Sequence, residues 1–280
     1  MQQVLIAGCG DVGNRLGRLL LAAGQEVFGV RRDVSALYPG IRGVAADLKS
    51  GAGLEQLTAS CDTLVFAAAG AGREEASYRQ LYVDGLRRTL ERMPQVRRVL
   101  FTSSTAVYAQ DDGSWVDESS QTAPGRFNGK VMLEAEGITL NAPGGQVLRL
   151  GGLYGPGRKR LLRLVEAGKP CVEHPPRYTN RIHCEDAARA AFHLLASGPE
   201  PETVPVVLGV DNAPAAEHEV RDWLARQIGV APPARDANPA SRSQNKRCRN
   251  TLLRDTGFNF GFPTFKEGYA EVLKARLRPA

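Results

Sequence analysis

No apolar run in these 280 residues is long enough to cross a bilayer, and the first residues already read as a core strand, so neither a membrane anchor nor a secretory leader is expected. Cysteine is sparse as well. Cys9, Cys61, Cys171, Cys184 and Cys248 lack the close spacing of metal ligands, and an odd, scattered set predicts free thiols in a reducing, cytoplasmic setting with no bound metal. No solenoid period is visible. Nor is there a single basic stripe with interleaved aromatics. The basic clusters Arg87-Arg88, Arg97-Arg98, Arg158-Lys159-Arg160 and Lys246-Arg247 lie among acidic residues, so the net charge of +6 reads as solvated helix faces with a preference for an anionic small molecule rather than nucleic acid.

What the chain does have begins at once. Val4-Leu5-Ile6-Ala7 is a short apolar strand that passes through Gly8-Cys9-Gly10-Asp11-Val12-Gly13 into a helical stretch. In a dinucleotide cradle of this pattern Gly8 permits the tight turn, Gly10 clears the approach of a pyrophosphate to the backbone, and Gly13 lets helix and strand pack closely. The helix N-terminus, with Asp11 and Val12 in its first turn, adds N–H groups and a positive dipole end. The second strand ends in Arg31-Arg32, where an NAD-preferring site carries a carboxylate for the ribose 2′-hydroxyl; Asp33 comes one residue later. A guanidinium grips a 2′-phosphate with paired charge-assisted bonds, so NADP(H) is favoured over NAD(H).

Strand candidates recur at 4–7, 26–30, 43–46, 63–67, 99–102, 146–150 and 204–210, with helical stretches at 11–23, 74–92, 130–140 and 185–196 between them. That alternation predicts an α/β fold with a doubly wound parallel sheet, a Rossmann domain over 1–157 plus 179–214. Prolines loosen the pattern elsewhere, and 158–178 plus 215–280 read as a smaller, discontinuous C-terminal lobe for substrate.

Several motifs in this order resemble the extended short-chain dehydrogenases/reductases, the NAD-dependent epimerase/dehydratase family. They are the glycine fingerprint, Asp47-Leu48, Ala67-Ala68-Ala69, the serine motif Phe101 to Tyr108, the segment Leu148 to Gly157, and Arg181 to Ala190. The resemblance implies that Asp47 and Leu48 meet the adenine and that Ala67, Ala68 and Ala69 line the cofactor. It implies catalysis by a hydroxyl residue, a tyrosine and a lysine four residues on. Ser104 matches the first and Lys130 the last, Lys130 also holding the nicotinamide ribose. The tyrosine position is Arg126. A guanidinium stays protonated and binds an oxyanion, but it does not shuttle protons.

No tyrosine lies between Ala109 and Leu153 to take its place; Tyr108 and Tyr154 belong to segments that in the family pack or turn. Tyr82 stands where the family commonly has asparagine. Gly152 and Thr179 replace an asparagine and an arginine that hold nucleotide-sugar diphosphates, although Arg177 or Arg181 offers a substitute. His183, between Ile182 and Cys184, reads as a structural histidine, while His174 faces either substrate or solvent. The resemblance also implies a dimer through the helices flanking the catalytic segment. Two functions stay open: an NADP(H)-dependent oxidoreductase or epimerase acting at a carbonyl or alcohol carbon, and a non-catalytic NADP(H)-binding module.

Overall fold

Each of the seven predicted apolar runs becomes a strand of one sheet. A computed structural model describes residues 2–57, 61–70, 72, 74–236 and 245–277, with side chains through 275. In it the strands are Gln3–Ala7 (β1), Glu26–Arg31 (β2), Arg42–Ala45 (β3), Thr63–Phe66 (β4), Arg98–Ser104 (β5), Gly145–Leu150 and Val206–Gly209. The sheet is parallel. Its order runs Val206–Gly209, Gly145–Leu150, β5, β4, β1, β2, β3. Val4 of β1 lies opposite Val27 of β2 on one side and Thr63 of β4 on the other. Both β1 and β4 are buried along almost their whole length, as expected of strands covered by helices on both faces. The direction of winding reverses between β1 and β4, and in open α/β sheets a ligand crevice opens at that reversal, beyond the strands' carboxyl ends.

The chain divides into two compact units. The first comprises 1–107, 122–149 and 187–207 and carries most of the sheet. Helix Asp11–Ala22 (α1) packs on it through Val12, Gly13, Leu16, Gly17 and Leu20, the i, i+3, i+4 stripe of an amphipathic helix. The predicted helix over 74–92 is not uniform. It consists of Glu75–Arg79 (α2), a π-helical stretch Gln80–Asp84, and Gly85–Glu91 (α3). The wider turn buries Leu81, Tyr82 and Val83 in succession, which an ordinary α-helical stripe does not do. A Cβ on Gly85 would lie 2.7 Å from the Leu48 carbonyl oxygen, so the backbone itself presses against the loop after β3. The helix predicted from Lys130 begins three residues earlier, as Phe127–Leu140 (α4), with Arg126 at its N-cap.

The second unit comprises 108–121, 150–186 and 208–280. Its strands pair in twos: Gly152–Tyr154 with Arg181–His183, Tyr178–Thr179 with Ala215–Ala216, and Trp115–Val116 with Arg247–Cys248. Tyr154, Leu162, Val165, Val220, Leu224, Phe265 and Tyr269 form its core. Among the described residues no helix is long and apolar enough to cross a membrane, and no group of His, Cys, Asp or Glu side chains is placed to hold a metal ion.

Candidate active site

The three fingerprint glycines answer three different constraints. Gly8 has φ +84°, and a Cβ there would sit 2.3 Å from the Ala68 Cα, so the turn after β1 is wedged against the end of β4. Gly13 faces Ile6 and the Gly8 carbonyl, with a Cβ falling 3.0 and 3.2 Å from them, which is the close helix-to-strand contact. Gly10 is different. A Cβ there would meet nothing nearer than the Gly8 carbonyl oxygen at 3.9 Å. The protein has ample room at that point, so its own packing does not require a glycine; the bare backbone faces the space where a phosphate would lie.

The turn is anchored by N–H bonds from Gly8 and Cys9 to the Val30 carbonyl at 3.0 and 2.9 Å. No side chain caps the α1 N-terminus. The Asp11 carboxylate pairs with Arg15 at 2.9 Å, and Val12 is buried beneath the turn. These features fit a dinucleotide pyrophosphate.

At the end of β2 the two charges diverge. Arg31 is half-buried with Nη1 3.4 Å from the Cys9 carbonyl oxygen and 3.5 Å from that of Ala36, which places the guanidinium beside the glycine turn. Arg32 is exposed. Asp33 is turned to its own loop, accepting from Ser35 N at 2.9 Å and Ser35 Oγ at 2.6 Å, bonds that hold its carboxyl below the usual range. The Cys9 thiol is pushed up to about 12 by burial, against the pull of Arg31, and is therefore protonated and inert within the phosphate turn.

Asp47 caps the next loop, accepting from Lys49 N at 2.9 Å, while Leu48 is buried. Arg88 of α3 donates to the Lys49 carbonyl at 2.6 Å and ties that loop to the helix. Ala67 N donates to the Ala7 carbonyl at 2.8 Å, Ala68 is buried against Gly8, and Ala69 is exposed beyond the strand.

Ser104 closes β5, its Oγ accepting from Ala106 N at 3.2 Å. Lys130 lies exposed one turn into α4. Gly129 brings the two segments together: a Cβ there would fall 2.6 Å from the Ala106 carbonyl oxygen and 2.4 Å from Pro124 Cβ, so the first turn of α4 rests on the chain just past Ser104. Behind Ser104 lies a network that sequence reasoning missed. Ser103 Oγ donates to Glu136 at 2.5 Å, and Arg149 donates to both oxygens of the same carboxylate, Nε at 3.0 and 3.3 Å and Nη2 at 2.7 Å. All three residues are buried. The one available signal was Arg149, a charge inside an apolar strand.

The tyrosines considered as substitutes for Arg126 are committed elsewhere. Tyr108, fully buried, donates to the Asp117 carbonyl at 2.9 Å, and Tyr154 donates to the Thr264 carbonyl at 3.2 Å. His183 is buried, stacked 3.8 Å from Phe262 and edge-on to Tyr154, a packed structural histidine. Thr179 Oγ1 donates to the Ala215 carbonyl at 2.9 Å, and Arg181 lies buried over the Phe265 ring at 5.7 Å.

The family model for NAD-dependent epimerases/dehydratases matches residues 4–207. A protein of Methylobacillus flagellatus described by that family name is 32% identical over 99% of both chains, with a TM-score of 0.79. A conserved protein of unknown function from Silicibacter pomeroyi is 26% identical over 98% of this chain and 99% of its own, with a TM-score of 0.75. The UDP-glucuronic acid 4-epimerase of Bacillus cereus, solved with NAD, shares the fold at a TM-score of 0.80 and 16% identity, covering 98% of this chain and 99% of its own. No curated protein matched the sequence.

Proposed function

Because the chain belongs to the NAD-dependent epimerase/dehydratase family, we propose that it is an oxidoreductase or epimerase that takes NADP(H) in preference to NAD(H) and acts at a carbonyl or alcohol carbon of a small, anionic molecule in the cytoplasm. One observation carries the cofactor preference: Arg31 stands beside the glycine turn while the Asp33 carboxylate is occupied by Ser35. At the end of β2 a 2′-phosphate would meet the Arg31 guanidinium, while the Asp33 carboxylate is turned to its own loop, where one of its oxygens accepts both Ser35 bonds.

The nucleotide supplies hydride chemistry when bound, and this chain's residues bind and orient. The turn from Gly8 to Gly13 holds the pyrophosphate on backbone N–H groups, with Arg31 and Arg32 on the 2′-phosphate. Asp47, Leu48 and Ala67 to Ala69 border the adenine and ribose side. Ser104 Oγ orients the reacting oxygen, and Lys130, projecting from the first turn of α4, holds the nicotinamide ribose. Arg126 stabilises negative charge on an oxygen but moves no proton.

Fluorescence titration tests the cofactor reading. Replacing both Arg31 and Arg32 by alanine removes charge-assisted bonds worth about 1.5–3 kcal/mol each, so NADPH affinity falls by at least about ten-fold while NADH affinity changes little. Equal weakening of the two refutes the 2′-phosphate assignment. A second reading, a non-catalytic NADP(H)-binding module, draws on Arg126 in the tyrosine position. It predicts tight NADPH binding with no turnover, and a gain of turnover in Arg126→Tyr.

A further inference from the structure

Tyr78 of α2 and Tyr82 in the π-helical stretch have ring centroids 4.6 Å apart. Tyr82 is buried edge-on against Phe101 of β5, at 6.5 Å. Tyr78 is half-buried and meets Phe127 edge-on at 5.8 Å. Phe127 opens α4. Arg126, in the place of the missing tyrosine, precedes it, and Lys130 follows one turn later. Arg79 donates to both oxygens of Glu134 on α4, at 2.6 and 2.8 Å, and fastens α2 to α4 beside that contact. A phenol is thus carried to the head of α4 by a neighbouring helix. The two hydroxyls share a hydrogen bond.

Building on the hydride-transfer reading above, we propose that Tyr78 is the proton donor of this site, with Tyr82 supporting it. In a reduction, a bound reduced nicotinamide nucleotide would supply the hydride for the new C–H bond at the carbonyl carbon. The Tyr78 O–H bond breaks as its proton goes to the carbonyl oxygen. The products are the alcohol, the oxidised nucleotide and a Tyr78 phenolate, which the Tyr82 O–H stabilises and which water reprotonates. Burial raises both phenols above their ordinary range, so Tyr78 is protonated before the step. Arg79, the next residue of its own helix, has its charge paired with Glu134 of α4.

The test uses full-length protein carrying [13Cζ]tyrosine, with lines assigned by Tyr78→Phe and Tyr82→Phe and titrated with NADP+ and with NADPH. The Tyr78 line moves on binding and differs between the two forms, because only one brings a positive ring. With NADPH and 9,10-phenanthrenequinone as probe, Tyr78→Phe lowers kcat by about a hundred-fold or more, the usual worth of a general acid. KM and NADPH affinity stay near wild type. Tyr82→Phe, which keeps the acid and loses its support, shows a smaller loss. A bound nucleotide that leaves the Tyr78 line in place overturns the proposal, as does wild-type kcat in Tyr78→Phe, and either result leaves the cofactor reading standing. Failure of both nucleotides to bind overturns the two together.

Discussion

Replacing Glu136 by alanine removes the hub of the network behind Ser104. Its carboxylate is 2% exposed and receives the Ser103 hydroxyl and two nitrogens of Arg149, which is itself 6% exposed. The substitution leaves a guanidinium in the interior without its principal counter-charge, a change that costs about 3–5 kcal/mol. Against a total stability of roughly 5–15 kcal/mol, the variant folds at 25 °C but is much weakened. At about 2–4 °C per kcal/mol for a chain of this size class, thermal unfolding moves down by roughly 10 °C.

The diagnostic comparison is Glu136→Leu combined with Arg149→Met. Removing both charges restores apolar packing and eliminates the stranded ion, so the double variant recovers most of the loss seen in either single one. Circular dichroism melts of wild type, Glu136→Leu, Arg149→Met and the double variant complete the cycle, and Glu136→Ala is melted beside them. A shift below about 2 °C in Glu136→Ala, or a double variant no better than the sum of the singles, would refute the reasoning.

Gly10→Ala folds with wild-type stability, because its Cβ enters open space, yet loses NADPH binding in a fluorescence titration; retained affinity counts against the cradle. Gly8→Ala, by contrast, loses stability outright, through both φ +84° and the 2.3 Å approach to Ala68, as denaturant unfolding will show. Asp211 in the second unit is raised to about 7 by burial, against the pull of Arg181. Its unfolded value is about 3.9, so the folded state binds the extra proton and the stability it contributes is lost as pH rises from about 4 through 7. Asp211→Asn therefore raises the melting temperature at pH 8 and gains little at pH 4, and an equal gain at both pH values would be contrary. The five cysteines are buried and free. A thiol reagent at pH 7.5 should count almost none in native protein and all five after denaturation; rapid labelling of native Cys9 would contradict its burial.

Much of the first unit was legible because strand runs and glycine spacing are local signals. All seven strand positions and the starting residue of α1 follow from them. So do the backbone demands on Gly8 and Gly13, since a tight turn and a close packing contact are constraints on single residues. Residues that act across the fold left no comparable trace. Ser103, Glu136 and Arg149 are far apart in sequence, and a glutamate inside a helix ordinarily marks a solvated face. Gly129 reads as a weak helix residue until the Ala106 carbonyl is found against it. The start of α4 was misjudged by one turn because neither Arg126 nor Phe127 is a capping type. Tyr78 was passed over for a related reason: its place beside Phe127 depends on helix-to-helix contact, whereas Tyr108 and Tyr154 were conspicuous only for sitting in recognisable motifs.

The widened turn at Gln80–Asp84 also sets the phase of everything before it. Each residue of an α-helix advances the chain by about 100° around the axis. Were the same residues wound as regular helix, the surplus residue that the wide turn absorbs would spin α2 by about that angle relative to α3. Tyr78 and Arg79 would then swing away from Phe127 and Glu134. A locally more regular backbone would leave the head of α4 without its phenol, so the irregular turn is what aims one helix at the next.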